Sequence, residues 1–246
     1  MKKNLLIVLV FCSFFLLNSC SGPAPAAITD ISELRAEIDI YQSLSDNKDN
    51  SVSVILYDKK GKEAGNNSIT VWVNQKKADY QVMQHLYYSQ HYYYRIEDIQ
   101  PENNQYTLEI QLKNGKKFFL GNAPTLAQSN SGSIICTRQA SLNKDFPIRW
   151  SHLYNVNLLY ISKSFQIKNQ DDNTTHYFIE EPTDTLHIKE DGNYLIKKEK
   201  LFNPGKKLSA IYFKFTAQKM GKTNTLLLKG SSIKISGYHE TRVSFQ

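Results

Sequence analysis

The chain has 246 residues, a formal net charge of +7, 41% hydrophobic and 12% aromatic residues, and three cysteines. That hydrophobic content excludes a disordered chain, and the length suits one large domain or two of ordinary size. The excess positive charge lies in the second half, densest at Lys197, Lys198, Lys200, Lys206 and Lys207. A lysine run of this kind is usually a solvated face, and an extracytoplasmic address would leave nucleic acid out as a partner.

Lys2 and Lys3 precede an apolar run from Leu5 to Leu17. The run is about 13 residues, short of the ~20 that a spanning helix needs. A basic head, an apolar stretch and small residues at the end are the layout of a secretory signal. Its last four residues, Leu17-Asn18-Ser19-Cys20, resemble a bacterial lipobox, with Leu17 at the aliphatic position, Ser19 at the small one and Cys20 at the lipidated one. The resemblance implies a signal peptide over 1–19, cleavage before Cys20, and acyl chains on Cys20 that make membrane lipid its partner. A secreted protein with a stray cysteine is the plainer alternative. Residues 20–29, rich in Pro and Ala, read as a tether. Ser21 is not the aspartate that retains lipoproteins in the inner membrane, and no acidic run follows. The resemblance therefore implies the outer membrane, on its periplasmic side.

Cys12 leaves with the signal and Cys20 is lipidated, so Cys136 has no partner and no intramolecular disulfide is expected. Cys136 lies in an apolar, strand-like run and reads as a small buried hydrophobe.

Beyond the tether the chain is a succession of short strands and turns. Leu34, Ala36, Ile38 and Ile40 alternate with Arg35, Glu37, Asp39 and Tyr41, the period-two pattern of a half-buried strand. Strands are expected next near Val52–Tyr57, Ile69–Val73, Tyr92–Ile96, Tyr106–Leu112 and Phe118–Leu120. The Asn114-Gly115 pair between the last two is a hairpin signal, because both residues accept positive φ. Residues 123–132, poor in charge and bulky groups, read as a linker between domains over 30–122 and 133–246. A second strand series follows near Ile134–Thr137, Ile148–Trp150, Val156–Ser162, His176–Glu180, Asp184–Ile188, Tyr194–Lys198, Leu208–Ala217, Thr225–Leu228, Ile233–Ser236 and Thr241–Phe245.

Two stretches echo each other: Glu102 to Ile110 and Glu190 to Lys198 both place a tyrosine, Tyr106 or Tyr194, after a polar turn at a strand start. This resembles the tyrosine corner of immunoglobulin and fibronectin type III folds, whose hydroxyl bonds to an upstream backbone group. Some fifty residues follow Tyr194, so the second copy must accommodate extra strands or a long hairpin. The strand series, with Ile69 to Asn74 before a lysine-rich turn, looks like the tandem immunoglobulin-like lipoproteins of Bacteroidetes. The implied fold is all-β: two tandem immunoglobulin-like or fibronectin type III-like sandwiches.

No nucleophile elbow, phosphate loop or zinc spacing is present. Six histidines are scattered without ligand spacing. Glu180 and Glu181 face opposite sides of a strand, unsuited to paired acid–base work. Asp171-Asp172-Asn173 lacks the rest of a calcium loop. The sequence therefore assigns no catalytic residue, metal or cofactor. The segment that invites a functional reading holds Tyr87, Tyr88, Tyr92, Tyr93 and Tyr94, five tyrosines in eight residues. On a strand Tyr92 and Tyr94 share one face and Tyr93 the other. Exposed tyrosines give rigid contact surfaces for a protein or a glycan partner, whereas cross-strand pairing of the rings would only stabilise the sheet. Asp184-Thr185-Leu186 resembles the short O-glycosylation motif of Bacteroides-type secreted proteins. Together the expectation is a lipid-anchored, non-catalytic binding, adhesion or envelope-assembly module. An accessory hydrolase or carbohydrate-processing protein, and a purely structural spacer, are the contrasting readings.

Overall fold

Period-two alternation governs almost every element. The computed structural model describes residues 28–45, 49–85, 89–127, 133–168, 176–201 and 207–245. The expected signal, Cys20 and most of the tether lie outside these residues. In β1 (Arg35–Ser43) and β2 (Ser51–Tyr57) alternate side chains are buried: Ala36, Ile38 and Ile40 on one, Val52, Val54 and Leu56 on the other. Their opposite faces carry Glu37, Asp39, Ser51 and Ser53, so one side of the sheet is oil and the other polar.

The first sandwich uses β1 to β8. β1 and β2 join β6 (Ser89–Glu97) and then β5 (Asp79–His85) in one sheet. The facing sheet runs β8 (Lys117–Pro124), β7 (Gln105–Gln111), β3 (Thr70–Val73) and β4 (Lys76–Lys77). In chain order this is the A-B-E-D and C′-C-F-G layout of the immunoglobulin and fibronectin type III sandwich. Ile38, Ile40, Val52 and Val54 form the core with Val71, Leu108, Ile110 and Leu120, all buried.

The second sandwich places a small sheet of β9 (Ile134–Ile135), β11 (Phe146–Trp150) and β14 (Gly192–Ile196) over three long strands. These are β12 (Leu158–Lys168), β15 (Lys207–Met220) and β17 (Ser232–Phe245), with β13 (His176–His187) at the edge. Phe146 lies 5.4 Å from Phe213 and 6.0 Å from Phe245 between ring centroids, and Phe213 stacks on Phe215 at 6.0 Å. β10 (Gln139–Ala140) pairs with the end of β17. Cys136 packs against this core, and burial pushes its thiol above the ordinary value, as a small hydrophobe requires.

The β15–β17 hairpin joins the two sandwiches. Val243 and Phe245 serve the second core, whereas Ser232–Tyr238 pair in parallel with Glu37–Ser43 of β1. Ile233 and Ile235 thereby enter the first core. At the hairpin end, β16 (Lys222–Thr223) pairs with Asn122 and Gly121 of β8, adding a strand to the facing sheet. The tandem sandwiches thus share one nine-stranded sheet. The described start of the expected linker is packed as well. Thr125, Leu126 and Ala127 are buried, and the Gln42 amide donates to Thr125 Oγ1 at 2.8 Å and to the Ala127 carbonyl at 2.9 Å.

Several elements differ from expectation for local reasons. His176–Glu180 and Asp184–Ile188 are one strand, because Pro182 sits at a bulge on the sheet edge where its missing N–H leaves no ladder bond unmade. Ile233–Ser236 and Thr241–Phe245 are also one strand, continued through Gly237. A Cβ there would stand 2.5 Å from Leu44 Cδ2. Thr225–Leu228 form a turn, with Leu227 N–H donating to Asn224 O at 3.2 Å, rather than a strand. After Ile196 the expected strand gives way to a helical turn at Lys198–Leu201. Asp145 holds this turn: its carboxylate accepts the Lys198 N–H at 2.9 Å and the Lys197 ammonium at 3.0 Å, and these bonds hold its pKa below the ordinary value.

Candidate functional site

The tyrosine-rich segment builds the sheet's terminal hairpin. Only Tyr94–Glu97 of β6 pair with β2, against Val54–Ser51. The remainder, Ser89–Tyr93, pairs with β5 alone. Between the parting strands lies the 62–66 segment. Ala64 N–H donates to Leu56 O at 2.8 Å, and the Glu63 carboxylate accepts the Tyr92 N–H at 2.7 Å. The other Glu63 oxygen lies 2.7 Å from His91 Nδ1. One carboxylate therefore anchors the hairpin where β2 no longer does.

The three described tyrosines of the cluster have different environments. Tyr94 is 1% exposed, and its hydroxyl both donates to Asn66 O at 2.9 Å and accepts the Asn66 N–H at 3.0 Å. Burial pushes its phenol pKa well above the ordinary value. Read from the sequence as a contact residue, Tyr94 is a core residue instead, because its strand position points between the sheets. Tyr92 and Tyr93 are half-buried on opposite faces of the hairpin. Tyr80 from β5 stacks on Tyr92 at 6.4 Å and tilts against Tyr94 at 5.6 Å. The ladder Tyr94–Tyr80–Tyr92 runs from the core outward, so the aromatic pairing and the outward display belong to one hairpin. Val82 and Met83 on β5 are 49% and 45% exposed. Tyr87 and Tyr88 lie outside the described residues.

The sequence reading missed Tyr80, Val82, Met83 and Glu63. Gln81 and Gln84 interrupt the apolar pattern of β5, although Tyr80-x-Val82 carries a weak alternation. Nothing local points to Glu63, whose role depends on a strand far along the chain.

The tyrosine echo is met in position but not in bonding. Tyr106 opens β7, the strand equivalent to F, and is buried, yet its hydroxyl has no hydrogen-bond partner among the described residues. The preceding turn satisfies itself: Glu102 N–H donates to Gln105 O at 2.9 Å, and Gln105 N–H to Glu102 O at 3.0 Å. Asn103 and Asn104 have positive φ of 49° and 60°, the conformation of a two-residue hairpin turn. Tyr194 lies with its hydroxyl 3.4 Å from Asp184 Oδ2, a side chain rather than an upstream backbone group.

Among the described residues no group of three His, Cys, Asp or Glu converges to hold a metal ion. The second sandwich contains an inward-facing ion pair, Lys163 Nζ to Asp184 Oδ2 at 2.8 Å, flanked by Ile161 and Phe165.

No known protein family matches the sequence, and no curated protein is similar to it. Solved structures are similar only distantly. Fibronectin(III)-like modules of Clostridium thermocellum CbhA align at 10% identity and a TM-score of 0.27, over 85% of this chain and 94% of theirs. The Yersinia pseudotuberculosis adhesin InvE aligns at 9% and 0.23, over 92% of this chain and 62% of its own. A cytokine receptor complex aligns at 9% and 0.26, over 74% and 89%. The strand order of the first sandwich defines the fold by itself: an all-β, fibronectin type III-like sandwich, continued into a second through a common sheet.

Proposed function

We propose that this chain is an extracytoplasmic lipoprotein, anchored through acyl chains on Cys20, that acts as a non-catalytic binding module of the bacterial envelope. The outer membrane, periplasmic side, is its proposed address. The observation that supports a binding role is the β5–β6 hairpin. It leaves the sheet after four paired residues and carries half-buried Tyr92 and Tyr93 beside exposed Val82 and Met83. Rigid aromatics held on a two-stranded ribbon, and clamped by Glu63, give contact area at low entropic cost. The anchor is supported by the sequence of the first twenty residues.

Two arms test the reading. Mass spectrometry of the purified native chain should find a diacylglyceryl-modified, N-acylated Cys20 at the N-terminus, and Cys20→Ala should leave the membrane fraction. An unmodified N-terminus contradicts the anchor. Val82→Ser combined with Met83→Ser should abolish in-cell cross-linking to the partner and leave the melting temperature within about 2 °C, since exposed positions cost little. Unchanged cross-linking contradicts the hairpin's role.

A further inference from the structure

The polar face of the shared sheet holds a trough of about 790 Å³ at the seam where β1 meets β17. Its size falls in the range of small-ligand sites, about 300–1,000 Å³. The floor is made of short hydroxyl side chains from three strands: Ser51, Ser236 and Thr216. Cross-strand register sets Ser51 beside Tyr41, Tyr41 beside Ser236, and Thr216 beside Tyr238. Tyr41 is 46% exposed, an aromatic ring standing over a floor of hydroxyls. We propose that this trough binds a neutral oligosaccharide.

Two observations select that ligand class. First, the lining offers an anion no free cation: Lys214 pairs with Glu240 at 3.3 Å, Lys234 with Asp39 at 3.2 Å and Arg95 with Glu97 at 2.9 Å, and Asp49 and Asp98 line the trough besides. Each cation at the rim already has a carboxylate, so a polyanion gains little, although the same groups supply donors and acceptors for sugar hydroxyls. Second, the main-chain positions Tyr41, Ser51, Ser236 and Thr216 at the trough are each paired with a strand on both sides. An extended peptide lying here would find no backbone partner for its own amides, whereas a sugar requires only side-chain hydroxyls and an aromatic platform. The trough shares Arg95 and Glu97 of β6 with the hairpin, but Tyr92, Tyr93, Val82 and Met83 are not in its lining, and it does not depend on the lipid anchor.

Affinity electrophoresis of the full chain in mild detergent tests the proposal with dextran, galactomannan, xylan and laminarin, and with heparin and polygalacturonate as anionic controls. At least one neutral polymer should retard the protein while the anionic ones do not. Tyr41→Ala should weaken that retardation by about tenfold or more, equivalent to about 1.4 kcal/mol. Ser236→Trp, which fills the floor, should abolish it, and Leu226→Ser, at an exposed turn outside the trough, should leave it unchanged. Retardation by none of the neutral polymers, retardation by the anionic ones alone, or wild-type binding by Tyr41→Ala would overturn the proposal.

Discussion

Two buried tyrosines in the first sandwich place their hydroxyls in opposite situations. Tyr94 satisfies both backbone groups of Asn66, whereas the Tyr106 hydroxyl has no partner among the described residues. Tyr94→Phe leaves an N–H and a carbonyl without partners and should cost about 1–3 kcal/mol in denaturant unfolding. Tyr106→Phe deletes an unpaired polar atom from the core and should be neutral or stabilising. The pair also contributes to the alkaline limit. Burial raises both phenols above their ordinary value of about 10, so above that pH the unfolded chain releases protons that the folded chain retains. The stability they contribute is present below about pH 10 and falls as the pH rises towards the folded-state values. A pH titration of the melting temperature should show this fall, and Tyr106→Phe should lessen it. A flat profile above pH 10 would contradict the burial of both rings.

Among the elements, β12 and β13 show how polar groups are carried inside a sheet. Lys163 occupies an inward position between Ile161 and Phe165, made tolerable only by Asp184 on β13. Removing one partner of such a pair is costly, while replacing both by apolar chains of similar volume often is not. Asp184→Ala should therefore destabilise by up to about 3 kcal/mol, the low end for buried pairs because Asp184 is partly exposed, while Lys163→Met combined with Asp184→Leu should be neutral or stabilising. Equal losses in both variants would show that the pair itself holds the sheet. The same strands mark what the sequence could and could not convey. Alternation made β1, β2 and β7 legible, because each residue's face is set by its immediate neighbours. The expected strand ends at Glu180 and Ser236 fall just before Pro182 and Gly237, yet an edge bulge absorbs the first and the approach of Leu44 requires the second. Of the tyrosine cluster, the facing of Tyr92 against Tyr93 follows from period two, but the burial of Tyr94 depends on a loop at Asn66 that no local pattern announces.

At the scale of the molecule the decisive feature is the parallel pairing of β1 with β17, segments about two hundred residues apart. No local signal encodes such a contact, which explains why residues 30–122 and 133–246 read as separable copies. In the structure β1 takes seven partners from β17, and Ile233 and Ile235 fill the first core. Without the hairpin, β1 becomes an apolar edge and the core loses part of one wall. The same seam creates the polar trough, since Tyr41 and Ser236 come from the two ends of the chain. Thermal unfolding of residues 28–127 expressed alone tests this dependence most directly. The shared sheet predicts no cooperative transition for the fragment, whereas the full chain melts sharply. A fragment that unfolds cooperatively at the full chain's midpoint would show instead that the first sandwich stands without β17.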